Sequence, residues 1–328
     1  MEKLIVDFFF KKFDFRELWL SVSVFIFGYV NYMWITFNPH YNLYNQEWWI
    51  TLGSLDLQMG TDGISLFFIY LTAALIPLCL LFGWKSEHAS INAVALLSIE
   101  ILLILAFQTL NLFIFYILFE AILIPFFIFI GLNGYRARRI HAAYLLLFYT
   151  LVGSFLMIVT IFMAYIHTGS MNLNVLMNTE WPETTEKILW MCLFLSLAIK
   201  IPIFPFHIWL PEAHVESPTE GSVLLAGVLL KLGTYGMIRF LFGLFPNATI
   251  YYTPLILILG TISILYTSLT TLRQIDIKRV IAYSSVAHMN MCVLGLAMYN
   301  SSGYNGSILL MIGHGFVSGA LFFLVGML

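Results

Sequence analysis

Apolar residues run along this chain in blocks of about twenty, with short polar interruptions between them. A helix rises about 1.5 Å per residue, so a block of that length crosses a hydrocarbon layer about 30 Å thick. The pattern predicts ten membrane helices, at 18–37, 62–83, 91–108, 110–131, 142–166, 188–210, 221–244, 253–272, 280–299 and 305–327. The longest polar connections fall at 38–61 and 168–187. No linker separates soluble units and no segment is of low complexity, so the reading is a single all-α polytopic membrane domain over 1–328.

Composition agrees with the pattern. The chain is 61% hydrophobic and 10% charged, against about 45–50% and about 25% in soluble domains. The bilayer is therefore its main solvent. A net charge of −2 gives no reason to expect nucleic acid. Cys79, Cys192 and Cys292 lie in apolar runs without CxxC spacing and read as small buried residues. The opening MEKLIVDFFFKKFDF is no signal peptide, because acids and lysines interrupt its apolar run and no small-residue cleavage site follows. Abundant aromatics suit lipid-facing surface and packing, with Trp48, Trp49 and Trp181 as interface anchors.

Threading the chain through ten spans sorts its cations. With the N-terminus on side A, that side holds Lys3, Lys11, Lys12, Arg16, Lys85, Arg136, Arg138, Arg139, Arg273, Lys278 and Arg279. Side B holds Lys187 and Arg239. Excess Lys and Arg mark the inner compartment, so side A is expected to be cytoplasm or matrix. One missed helix would scramble this sorting.

Four charges fall inside spans: Glu100, Glu120, Lys200 and Lys231. A charge at the bilayer centre costs about 2.5–3.5 kcal/mol on insertion scales, and mid-span lysines are too far from the ends to snorkel. Each is read either as half of an ion pair joining helices or as a member of a proton path whose groups tune one another. Carboxylates beside buried lysines suit proton traffic, since a moving negative charge switches a lysine between donor and acceptor. His288 and His314, in spans nine and ten, are relay candidates with small neighbours that leave room for water. Span six, LAIKIPIFPFHIWLPEAHVESP, is broken by Pro202, Pro205 and Pro211, each of which removes a backbone donor. Lys200 sits just before the first break, and Pro125 follows Glu120 in the same manner. A discontinuous helix beside a midplane charge points to a transport site.

Other chemistry is not supported. His207 and His214 are seven apart with Pro211 between them and no Cys or Asp beside them, so no metal is expected. A haem held by His288 and His314 would leave both lysines unexplained, and no CxxCH is present. Nucleotide loops, nucleophile elbows and flavin fingerprints are absent.

Four strings, FYILFEAILIPFF, AIKIPIFPFHIWLPEAHVESPTEGSVLLAGVLLKLGTYGMIRF, QIDIKRVIAYSSVAHM and MIGHGF, resemble the antiporter-like proton-pumping subunits of respiratory complex I. The resemblance runs from about Trp34 to the end. It implies that Glu120 is the membrane glutamate modulating Lys200, that Lys231 is the central lysine, and that His288 and His314 line the hydrated path onward. His207 and His214 lie in the broken-helix motif with secondary roles; Asp276 and Lys278 match a charged matrix-side loop. It further implies an inverted-repeat fold: N-terminal helices over 1–90, one complete five-helix repeat over 91–244, and part of a second over 253–328. The resemblance places no redox cofactor in this chain; NADH, FMN, iron–sulphur clusters and ubiquinone would be bound by other subunits, whose quinone reduction drives the pump. The expected partners are the neighbouring antiporter-like subunits.

Three departures accompany it. Glu100 is an additional intramembrane acid, either a packing partner or a second proton store. One family helix before the first span is missing. The sequence ends at Leu328, straight out of span ten, whereas the family continues into a second broken helix; a separately encoded polypeptide is expected to supply those helices. The Phe- and Tyr-rich composition suits a mitochondrial inner-membrane protein, with a bacterial plasma membrane as the other setting. The alternative functions are a membrane subunit of a cation/proton antiporter or membrane-bound hydrogenase, and a non-pumping structural fragment.

Overall fold

Each apolar block folds as a helix, because in hydrocarbon the backbone must satisfy its own N–H and C=O groups. The computed structural model describes residues 15–38, 46–52, 55–86, 89–134 and 136–328. In chain order the helices are α1 (Phe15–Thr36), α2 (Gly63–Phe82), α3 (Ala89–Gln108), α4 (Leu112–Asn133), α5 (Arg139–Thr168), the short α6 (Leu173–Met177), α7 (Glu183–Lys200), α8 (Trp209–Glu216), α9 (Thr219–Leu244), α10 (Pro246–Thr271), α11 (Ile277–Ala297) and α12 (Ser301–Met327). Nine of these are long and apolar enough to cross a membrane, among the described residues. The remaining crossing is the broken pair α7–α8, so the pattern of spans holds with its sixth member interrupted.

The structure departs from the sequence reading in places. The connection 38–61 holds an antiparallel hairpin of β1 (Gln46–Leu52) and β2 (Leu55–Thr61), with Trp49 opposite Gln58. It is tied to the α3–α4 turn, where Leu110 N–H donates to the Gln58 carbonyl at 2.9 Å. The side chains of Trp48 and Trp49 lie outside the described residues, as do Lys3, Lys11 and Lys12. Trp181, expected at the interface, is half-buried between His167 and Phe245. Pro211 does not break a helix: it sits in the first turn of α8, where a missing N–H costs nothing. The break spans 201–208, and α4 has its own interruption at Ile122, just before Pro125.

Contacts across loops agree with the predicted sidedness. At one end Arg136 pairs with Asp276 at 3.0 Å, Arg279 with Glu212 at 2.6 Å, and Lys278 Nζ donates to the Ser217 carbonyl at 3.1 Å. At the other, Arg239 pairs with Asp62 at 2.6 Å and Ala248 N–H donates to Glu186 at 2.9 Å. Each contact joins residues assigned to the same side.

The centre is α9, in which every residue from Thr219 to Met237 is buried. Lipid chains are as apolar as leucine, so helices associate here through close packing of small residues rather than by escaping water. The crossing of α9 and α12 is the clearest case. A Cβ at Gly315 would lie 3.1 Å from the Gly227 carbonyl and 2.6 Å from Leu71, so the absence of a side chain at Gly315 is what lets α12 lie this close to α9 and α2. Around this centre α5 and α10 turn Phe155, Phe162, Leu265 and Leu269 outward.

Candidate functional site

Lys231 lies halfway along α9, between two π-helical turns at Leu225–Leu229 and Met237–Leu241. Such turns widen the helix and are frequent at functional sites. Its side chain is fully buried. Nζ donates to the Ala226 carbonyl, five residues earlier, at 2.6 Å and lies 2.8 Å from His314 Nδ1. His314 reaches this place because its neighbour Gly315 lets α12 press onto α9. The ring of His288 on α11 follows, with centroids 5.8 Å apart. Three residues expected on one path are thus together. Their surroundings differ from expectation in one respect: His288 is exposed on the outward face of the bundle rather than enclosed by this chain.

Lys200 ends α7, immediately before the break. Its Nζ donates to the Phe119 carbonyl at 3.2 Å and sits 4.0 Å above the Phe119 ring. Glu120 is the next residue and a charge neighbour of Lys200, yet both its carboxylate oxygens are buried without a hydrogen-bond partner. Glu120 and Lys200, which the resemblance pairs, are charge neighbours with no hydrogen bond between them. The carbonyl and ring face of Phe119 occupy the ammonium instead. Glu100, on α3, is fully buried and its oxygens also lack partners.

The break leaves backbone groups that must be satisfied inside the protein. Asn290 donates to the Pro202 carbonyl at 3.3 Å, Phe204 N–H donates to Ser263 Oγ at 2.8 Å, and Trp209 Nε1 donates to the Ile199 carbonyl at 2.9 Å. His207 packs in an aromatic nest of Phe204, Tyr266 and Tyr283 and does not join Lys231. His214 is fully buried, stacked on Phe322 at 4.7 Å, with both ring nitrogens unpartnered. Its charge neighbours are Lys278 and Lys231, so it stands between side A and the central lysine. Among the described residues no three His, Cys, Asp or Glu side chains gather as metal ligands.

Three buried acids escaped the sequence reading: Glu186 in the first turn of α7, Glu216 and Glu220. Glu216 ends α8 at 2% exposure, with Oε2 unpartnered, and Glu220 in the first turn of α9 is 8% exposed. Lys278, read as part of a charged loop, is half-buried and has both acids as charge neighbours. The available signal was the spacing in ESPTE, two carboxylates four apart beside a helix break; it reads as a solvated loop until the fold encloses it.

The profile of a family described as NADH:quinone oxidoreductase/Mrp antiporter, transmembrane, matches residues 109–328. The chain belongs to that family. Within the NADH:quinone oxidoreductase/Mrp antiporter family, it is 52% identical over 280 residues to NADH-ubiquinone oxidoreductase chain 4 of Prototheca wickerhamii, covering 85% of this chain and 54% of that one. Chain 4 of Arabidopsis thaliana is 48% identical over 318 residues, covering 95% and 64%. The chain thus spans 54% and 64% of the length of these two curated relatives. In solved structures it superposes on a chain of respiratory complex I from Thermus thermophilus with a TM-score of 0.88 at 29% identity, covering 95% of this chain and 66% of that one. A chain of an archaeal membrane-bound sulfane sulfur reductase has the same fold, with a TM-score of 0.83 at 21% identity over 95% of this chain and 65% of that one.

Proposed function

We propose that this chain is a proton-translocating subunit of the membrane arm of an NADH:ubiquinone oxidoreductase, in the position of chain 4. The observation that carries the reading is the fully buried Lys231 in contact with His314. A lysine so placed in a scaffold would be replaced by leucine at a gain in stability. Here its partner is an imidazole nitrogen, which can take a proton. The ammonium N–H breaks as a ring N–H forms, leaving a neutral amine ready for the next proton. His288 extends the line outward, and Glu120 with Lys200 supplies a charge pair that biases the central lysine.

Quinone reduction elsewhere in the assembly drives these steps, and NADH, FMN, iron–sulphur clusters and ubiquinone are held by other subunits. The partners are neighbouring antiporter-like subunits, together with a separate polypeptide against the α11–α12 face, where His288 is exposed. Spans α3 to α9 constitute one inverted repeat and α10 to α12 part of the second. The setting is the mitochondrial inner membrane, with the N-terminus and side A toward the matrix, in keeping with the positive-inside sorting. A subunit of a cation/proton antiporter is the second reading, favoured by the Mrp antiporters in the same family. The test is Lys231→Ala in the assembled complex. Loss of proton translocation with assembly retained supports the pump, and unchanged translocation leaves a structural role.

A further inference from the structure

Pro202 and Pro205 bring no N–H to the break that follows α7, so the chain there cannot close a helical ladder. It keeps some bonds of its own: Ile203 N–H donates to the Ala198 carbonyl at 2.9 Å, and Phe206 N–H to the Ile203 carbonyl at 2.7 Å. Two further groups are bound from other helices. The Pro202 carbonyl accepts from Asn290 Nδ2 of α11 at 3.3 Å, and the Phe204 N–H donates to Ser263 Oγ of α10 at 2.8 Å. From a third direction α9 lies directly on the break. A Cβ at Gly233, two residues after Lys231, would lie 2.6 Å from the Ile201 side chain and 3.4 Å from its backbone nitrogen.

Asn290 is not explained as filling. It points inward from α11, fully buried, whereas His288 two residues earlier faces outward. Its Nδ2 donates to the Val286 carbonyl at 2.9 Å as well as to Pro202, and its Oδ1 is buried without a partner. A buried acceptor left open opposes folding, and leucine would fill the same space without one. What the amide adds, and leucine cannot, is a tie to the backbone two residues beyond Lys200. Ser263 is also fully buried, and its hydroxyl serves twice: it accepts from Phe204 and donates to the Leu259 carbonyl at 2.6 Å.

We propose that Asn290, seconded by Ser263, is a positioning residue for Lys200: by binding the open backbone of the break it fixes where α7 ends, and so holds the Lys200 ammonium against Phe119. Neither side chain touches a moving proton. The inference rests on the reading of Lys200 as a modulator of the proton path, and it names the helices, α10 and α11, that hold that modulator in place.

The experiment measures proton translocation by the assembled complex in native membranes for Asn290→Leu, Lys200→Met and the two combined. Asn290→Leu keeps the volume and removes the tie, and is expected to slow translocation several-fold, as Lys200→Met does. The combined variant is expected to be no slower than Lys200→Met alone, because no charge is left to place. A packing role would instead multiply the two losses. Normal translocation in Asn290→Leu, or multiplied losses in the combined variant, overturns the positioning role. If Lys231→Ala is inactive in the same membranes, the pump reading survives that result; if Lys231→Ala is fully active, the pump reading itself has failed. Ser263→Ala covers loss of assembly by Asn290→Leu, since it removes a single hydroxyl. It is expected to slow translocation less, and to have no effect once Lys200 is Met. No slowing by Ser263→Ala, or the same slowing in both backgrounds, then overturns the proposal.

Discussion

Two buried lysines one helix apart have been given different partners. Lys231 meets an imidazole nitrogen at 2.8 Å, whereas Lys200 meets a backbone carbonyl at 3.2 Å and the face of a phenyl ring. An imidazole can accept a proton and pass it from its second nitrogen; a carbonyl or a ring face can only stabilise the charge already present. On the proposed reading, the same residue type at similar burial does different work: Lys231 sits in a transfer pair, and Lys200, with Glu120 as its charge neighbour, sits in an electrostatic one, where altering one charge changes the field felt by the other. The comparison teaches that the partner atom, rather than the depth of burial, separates a carrier from a modulator.

The sharpest way to break this distinction is to remove the acceptor. His314→Leu is expected to cut proton translocation about 100-fold while the complex still assembles, because the apolar replacement fills the space but cannot receive a proton. Translocation that survives in this variant would make Lys231 another modulator. A smaller effect is expected at the other lysine. Lys200→Met keeps the stem and its contact with Phe119 but removes the charge, and should slow translocation only several-fold, about 1 kcal/mol in barrier. A loss as deep as that of Lys231→Ala would erase the contrast. The smallest effect on transport belongs to Glu100. Its oxygens are buried without partners, and such a group costs about 1–3 kcal/mol. Glu100→Leu should leave translocation near normal and raise the unfolding temperature of the assembly, read by thermal unfolding in detergent. Impaired translocation there would make Glu100 a proton store after all.

The amino-acid pattern alone specified the membrane crossings, which loops share an end of the bundle, and the identity of the intramembrane charges. These follow from local physics. The bilayer sets how long an apolar run must be, and insertion penalises each charge separately, so a mid-span lysine stands out without any knowledge of its neighbours. Pro202 and Pro205 marked the broken helix for the same reason, since each acts on its own backbone. Which charges meet was decided only in three dimensions. The rotation of each helix depends on how it packs against others, as with Gly315 against the backbone at Gly227, and a rotation of one residue moves a side chain by about 100° around the axis. That rotation joins Lys231 to His314, turns Lys200 toward Phe119 rather than Glu120, and leaves His207 among aromatic rings. It also encloses Glu216 and Glu220, which in the linear chain belong to a polar turn and in the folded one are buried.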